Sequence, residues 1–549
     1  MMSLPGLQQG CLGWWTGGQT SPATDEQALA AAIQRVDRPL FIVDAGGQLA
    51  ASHDGVATLQ QDGQPQTDGF PLLGFAPVLR PEQLGDPAFR TTHGVRYAYV
   101  AGAMANGISS EQMVEAMGRA GMLGFFGAAG LGIERISAAI DRIQASLGDQ
   151  PYGLNLIHSP HEPRLESETV ELYLRRGVQL VSASAYLDLT EPLVRYRAAG
   201  IHRDGEGRVV APNRVMAKVS RVEVARKFLS PPPDALLRAL VSKGQLTPEE
   251  AALAGVIPVA DDLTAEADSG GHTDNRAALT LLPTMLALRD ELQARFGYPA
   301  PLRVGAAGGI ATPASAAAAF ALGAAYVLTG TINQACVEAG TSAAVREMLA
   351  EASQADVTMA PAADMFEMGV KVQVLKRGTM FALRARKLYE LYRAHARLED
   401  IPAAPRRMLE RDYFRMPLEA VWEQTKGFFA RRDPQQIERA EGDPHHKMAL
   451  VFRAYLGQSS GWANSGEPSR KVDYQVWCGP AIGGFNEWVR GSFLERPERR
   501  DVVTVALNLL VGAAALTRAG WLRAQGVPLP PEAQRFAPRP RDALPALAG

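Results

Sequence analysis

Between residues 95 and 345 short apolar runs alternate with stretches whose apolar positions recur at helical spacing. The first repeat shows the pattern. Residues 97–104 read as a strand. Ser109, with Gln112 three positions later, reads as a capping box. Met113, Ala116, Met117 and Ala120 then share one helical face, Gly121 stops the helix, and 122–126 is the next strand. Further strands are predicted at 152–155, 179–182, 214–219, 263–267, 303–306 and 325–328. Eight strands alternating with helices over about 250 residues are the size of a closed (β/α)8 TIM barrel of the α/β class. The rival is a doubly wound open sheet, which would place G-x-G-x-x-G after its first strand. The nearest match, 127–132, has the spacing reversed and follows the second strand.

Patterning outside the barrel divides the rest of the chain. Residues 1–80 form a small β-rich N-terminal domain, with a strand at 41–44 and a turn at Gly46-Gly47, and the barrel occupies 81–345. Residues 346–470 carry helical, charged patterns and read as a helical lid. They include a helix within 365–395 that puts Leu388, Leu391, Tyr392 and His395 on one face. Residues 471–549 comprise an aromatic cluster, an apolar packing helix and a proline-rich tail from Pro528 that reads as flexible. The uncharged stretch 502–517 is short for a bilayer span of about 20 residues. It also contains Asn508 and Gly512, so it reads as a buried helix.

The 56 basic and 58 acidic residues leave a net charge of −2, which gives no global attraction to nucleic acid or to an anionic membrane. Cys11, Cys336 and Cys478 offer neither zinc spacing nor a disulfide framework, and no metal site is apparent. The first residues lack a basic segment followed by an apolar one, so no secretory signal is expected and the cytoplasm is the default location.

Candidate chemistry gathers where strands end. Gly308 and Gly309 follow the seventh strand, and Gly330 and Thr331 the eighth. Glycines there let backbone N–H groups approach a phosphate, which in such barrels commonly sits on these two loops. Gly270, Gly271 and His272 close the sixth strand, where an imidazole can give or take a proton near neutral pH. Of the nine histidines, His272 is the one that this position singles out. Asn155 ends the third strand, where an amide can pair with a heterocycle edge. Lys218 ends the fifth and is either functional, offsetting negative charge on a reduced ring, or salt-bridged.

Ala103-Met104-Ala105-Asn106-Gly107, Gly153-Leu154-Asn155, Gly270-Gly271-His272 and Ala307-Gly308-Gly309-Ile310 resemble, in order, the FMN barrels of the nitronate monooxygenase type. A narrower resemblance, covering residues 4–525, is to the PfaD-like trans-acting enoyl reductases of trans-acyltransferase polyketide and polyunsaturated fatty acid synthases. It rests on 155–160, 217–221, 364–378 and 473–480. That resemblance implies an FMN-dependent enzyme that uses NAD(P)H to saturate the α,β-double bond of an enoyl thioester on an acyl carrier protein, in company with synthase modules. By position, Ala103, Met104, Ala105 and Asn155 would contact the flavin ring, with Gly270 and Gly271 beside it. Gly308, Gly309, Gly330 and Thr331 would hold its phosphate, Lys218 would sit near its pyrimidine end, and His272 would donate a proton or anchor a carbonyl. The basic stretch Lys371, Lys376, Arg377, Arg384, Arg386 and Lys387 reads either as a docking surface for an acidic carrier protein or as a solvated helix face. Two other functions fit the same sequence: a small-molecule flavin oxidase of the nitronate monooxygenase type, and a non-catalytic assembly scaffold. Pathway, chain length, stereochemistry, NADH or NADPH preference and oligomeric state, a homodimer included, are left open.

Overall fold

The computed structural model describes residues 11–18, 21–59, 69–158 and 163–544. Its centre is a closed barrel of eight parallel strands: β1 (Tyr99–Ala101), β2 (Leu123–Phe126), β3 (Gly153–Ile157), β4 (Leu180–Ser184), β5 (Arg214–Val219), β6 (Asp262–Glu266), β7 (Arg303–Ala307) and β8 (Val327–Thr329). Each strand pairs with its neighbours in chain order, and β8 returns to β1 through Leu328 opposite Val100. All eight lie where the apolar runs predict them. Buried on both faces, such strands have no polar side to show and read as continuous apolar segments.

At the barrel's lower end Arg303 Nε donates to Asp262 Oδ1 (2.6 Å), and His93 Nε2 lies 2.8 Å from Asp262 Oδ2. All three residues are buried. Burial opposes the charge on Asp262, yet the charges and hydrogen bonds of His93 and Arg303 hold its pKa well below the ordinary carboxylate range.

The N-terminal residues build a five-stranded antiparallel sheet, in which Leu40–Asp44 pairs with Leu49–Ser52 across the Gly46-Gly47 turn. The helix Val502–Ala524 joins this sheet to the barrel. It is long and apolar enough to cross a membrane, but 89% of its most apolar stretch is buried inside the protein. Arg518, fully buried, donates to the carbonyls of Ile33, Arg35 and Arg38 in the N-terminal domain. Halfway along, Gly512 faces the alanine-rich helix Pro313–Ala321 that follows β7. A Cβ at 512 would lie 2.6 Å from Pro313 Cγ, so only glycine lets the two helices come this close.

Three features differ from the sequence reading. Ser110, not Ser109, caps the helix Glu111–Arg119; Ser109 turns inward, donating to the Gly102 carbonyl (2.7 Å) and accepting from Met104 N (3.1 Å). The lid is not purely helical: β9 (Val357–Pro361) and β10 (Lys371–Leu375) form an antiparallel pair that also takes in Gly271–His272, and the helix Phe381–Ala394 starts only after it. The tail expected to be flexible packs back as far as residue 544, with Phe536 and Leu544 buried and the Asn508 side chain bonded to the backbone of Arg539. Local composition hides that anchoring, because the partners lie tens of residues away.

Candidate active site

The βα loops after β1, β3, β5, β6, β7 and β8 all open on the C-terminal rim of the barrel, and every candidate catalytic or cofactor-binding residue lies on them or on the strand ends beneath. The β1 loop comes first. Ala103, Met104 and Ala105 are half-buried, held from below by Ser109 and backed by Gly127, whose missing side chain leaves room for the Met104 carbonyl. Asn155, buried in β3, donates its amide N–H groups to Ser182 O (3.1 Å) and Ser184 Oγ (3.3 Å). Its side-chain oxygen accepts no hydrogen bond among the described residues, while its backbone carbonyl accepts from the Tyr173 hydroxyl.

The loops after β7 and β8 form the second part. Gly308 has φ +82, and a Cβ there would lie 2.6 Å from the backbone of Ala267, so the crossing of the β6 and β7 loops excludes any side chain. Open space lies in front of Gly309 and Gly330, where an added Cβ would meet nothing within 4 Å. The amides of Gly309, Ile310, Gly330 and Thr331 make no hydrogen bond among the described residues, while those of Ala311 and Thr312 are taken by Ser315 Oγ. Unpaired N–H groups of this kind are suitable donors to an anion. The Thr331 hydroxyl is already engaged, accepting from Gly479 N at 3.2 Å.

On β5 and β6 the Lys218 ammonium lies 2.5 Å from Glu266 Oε1, which also accepts from Ser269 Oγ at 3.0 Å. Lys218 is therefore salt-bridged, and its side chain keeps 20% exposure at the mouth. His272 follows on the short strand Gly271–His272, paired to β10 through Gln373 and Val372. Its Nε2 lies 3.2 Å from both carboxylate oxygens of Asp364. Desolvation works against the charged ring, but the hydrogen bond and the charge of Asp364 outweigh it, and the His272 pKa rises above its ordinary value. Lys218 pushes the other way and Glu266 adds to the rise, so the four side chains form one electrostatic group.

Two carboxylates of this group, Asp364 and Glu266, are absent from the sequence-based set of candidates. Asp364 opens the 364–378 motif but lies 92 residues from its partner. Glu266 sits two positions before the Asp268 that begins the loop. The aromatic segment that follows the lid also reaches the rim, through 473–480. Cys478 N bonds to Gln373 O (3.3 Å), Gln373 Nε2 bonds to Asp268 Oδ1 (2.8 Å), and the backbone at Cys478 passes so close to Gly270 that a Cβ there would lie 2.9 Å from it. Of the 155–160 motif, His158 is held by Glu166 at 2.8 Å; Ser159 and Pro160 lie outside the described residues. An open groove of about 540 Å³, lined by Leu189, Val222, Pro231 and others, includes none of these side chains.

The chain is 49% identical over 460 residues to a polyunsaturated fatty acid synthase subunit of Thraustochytrium sp., a match covering 82% of this chain and 31% of that protein. It is 47% identical over 436 residues to the polyketide biosynthesis protein PksE of Bacillus subtilis, covering 79% and 56%. It thus spans about a third and somewhat over half of these two relatives. The enoyl reductase domain of MlnA, from the macrolactin biosynthesis cluster of Bacillus amyloliquefaciens, superposes with a TM-score of 0.77 at 41% identity, over 81% of this chain and all of that domain. Residues 395–474, most of them in the lid, match the family described as [acyl-carrier-protein] S-malonyltransferase, inserted helical domain.

Proposed function

This chain belongs to the PfaD-like trans-acting enoyl reductases of polyketide and polyunsaturated fatty acid synthases, and on that premise we propose that it saturates the α,β-double bond of enoyl thioesters on an acyl carrier protein, with FMN as cofactor and NAD(P)H as reductant. One observation carries the reading: a set of free backbone amides after β7 and β8 shares a rim with a carboxylate-held histidine after β6.

The residues fit FMN in three respects. The free amides of Gly309, Ile310, Gly330 and Thr331 suit a phosphate, with space in front of both glycines. Asn155 is pinned by its N–H groups and leaves its oxygen to accept from a heterocyclic N–H. Lys218 offers positive charge to a ring that becomes anionic on reduction, and its ion pair with Glu266 accounts for how a lysine is tolerated there. The chemistry such a cofactor supplies when bound is hydride delivery to the β-carbon of the acyl chain.

The chain's own part is the proton for the α-carbon. Asp364 accepts from Nε2 of His272, so the ring can donate from Nδ1 only as the imidazolium. The raised pKa enlarges the share of that form at any given pH. Asp364 thereby fixes both the orientation and the charge of the donor. Because it belongs to the lid, the acid is complete only with the lid in place.

His272→Ala should keep its bound flavin and its reduction by NADPH while losing enoyl reduction by about a hundredfold or more, the usual size of a general-acid contribution. Stopped-flow absorbance separates the two half-reactions. Enoyl turnover at the wild-type rate would remove His272 from the chemistry.

A further inference from the structure

The helix Phe381–Ala394 and the turn before it concentrate charge of one sign. Residues 371–397 carry eight Lys or Arg and one carboxylate, Glu390, in a chain whose net charge is −2. Some of these cations are spoken for. Arg384 turns inward onto the buried Asp473, Arg377 lies 3.7 Å from Glu351, and Lys387 lies 3.4 Å from Glu390. Lys376 and Arg386 form no ion pair within 4 Å among the described residues, although the charge of Lys376 bears on Asp356, and both side chains are exposed.

Two apolar side chains stand among these charges. Met380 is 44% and Leu383 54% exposed, one at the start of the helix and the other on its first turn. A small apolar centre inside a charged rim is the anatomy of a protein contact. A free solvated face has no use for it, and two such side chains are a narrow foothold for a lipid surface.

The place of this face in the fold adds a second argument. Val372 on β10 lies opposite His272, and the same strand runs straight into Lys376. Four residues of extended chain span about 13 Å. A partner seated on this face would therefore stand beside the active-site mouth, on the side from which Asp364 approaches.

We propose that Lys376, Met380, Leu383 and Arg386 form the docking surface for the acidic carrier protein that delivers the enoyl chain, an inference that rests on the function proposed above. Cationic side chains would steer the carrier's acidic helix, and Met380 and Leu383 would meet its apolar residues. The tethered thioester would then enter between the lid hairpin and the rim.

The test is direct binding of a fluorescently labelled, crotonyl-loaded acyl carrier protein, followed by anisotropy at low and high salt. It compares the wild type with the Lys376→Glu/Arg386→Glu double variant, alongside Leu383→Asp. Turnover of crotonyl-N-acetylcysteamine, which needs no docking, is measured in parallel, and melting temperature certifies the fold. The expected result is salt-sensitive wild-type binding, weakened about tenfold or more by the double variant, with free-thioester turnover unchanged. Variant binding within about twofold of the wild type, no carrier binding by the wild type, or a preference for phosphatidylglycerol vesicles over the carrier would each overturn the proposal. Should the wild type reduce neither thioester, the enzymatic reading fails, while the anisotropy still decides docking.

Discussion

At the scale of single residues the account turns on which side chain sets the charge of His272. Asp364 contributes both the hydrogen bond and the nearby charge that lift its pKa. With the folded pKa above the ordinary value near 6.5, the imidazolium is fully present below that value and is lost as pH rises through the higher one. The rate of enoyl reduction should therefore fall along an alkaline limb lying above about pH 6.5. In Asp364→Asn that limb should move to lower pH and kcat should drop, with reduction by NADPH unchanged and Asp364→Glu restoring part of the loss. A pH profile identical in the variant and the wild type would show that Asp364 does not act through the ring. Lys218 is tested apart from this pair. Lys218→Ala should weaken flavin retention or slow its reduction, read by dialysis and stopped flow, and a variant normal in both would leave the lysine only its bond to Glu266. Histidine at a glycine-flanked strand end is legible from sequence, because position and chemistry coincide there. Asp364 is not legible, because its role depends on a contact that spans 92 positions and on a hairpin that reads as helix.

At the scale of elements, the barrel strands are legible because each is short, apolar and bounded by turns. The lid hairpin is not, since β9 ends on Pro361 and β10 finds its partner in the two-residue strand at His272. The Ser109 and Ser110 pair shows the same limit at one residue's resolution: two adjacent hydroxyls fit the cap, and only packing decides which turns inward. Two elements make quantitative predictions. Asp262→Asn would leave the buried Arg303 guanidinium without its countercharge and should cost about 3–5 kcal/mol, measured by denaturant unfolding. In the wild type the depressed Asp262 pKa means that its stabilisation is present above the ordinary carboxylate range and is lost as pH falls below it. Unfolding free energy should decline in that acid window, and the decline should be smaller in Asp262→Asn. Gly512→Val would force the C-terminal helix away from Pro313–Ala321, the helix that follows the β7 loop. The expected cost is about 1–3 kcal/mol, together with weaker FMN binding. Unchanged stability would mean that the two helices can separate freely.

At the scale of the whole molecule, the N-terminal sheet, the barrel and the lid are tied together by long-range contacts. The helix Val502–Ala524 ties the N-terminal sheet to the barrel through Arg518, and the segment 473–480 ties the lid hairpin to the rim. An open groove elsewhere does not displace the rim as the site, because Asn155, Lys218, His272 and the free amides of Gly309, Ile310, Gly330 and Thr331 all lie on the rim. This convergence favours an enzyme over an assembly scaffold, and the family membership favours enoyl thioesters over small nitro compounds. The measurement that bears most directly on it is the visible spectrum of the purified protein through one catalytic cycle. A bound flavin should give yellow protein, bleached by NADPH without oxygen and recoloured stoichiometrically by crotonyl-loaded carrier protein but not by a nitroalkane. Protein that stays colourless after incubation with FMN, or a reduced form that the enoyl chain fails to reoxidise, would contradict the account.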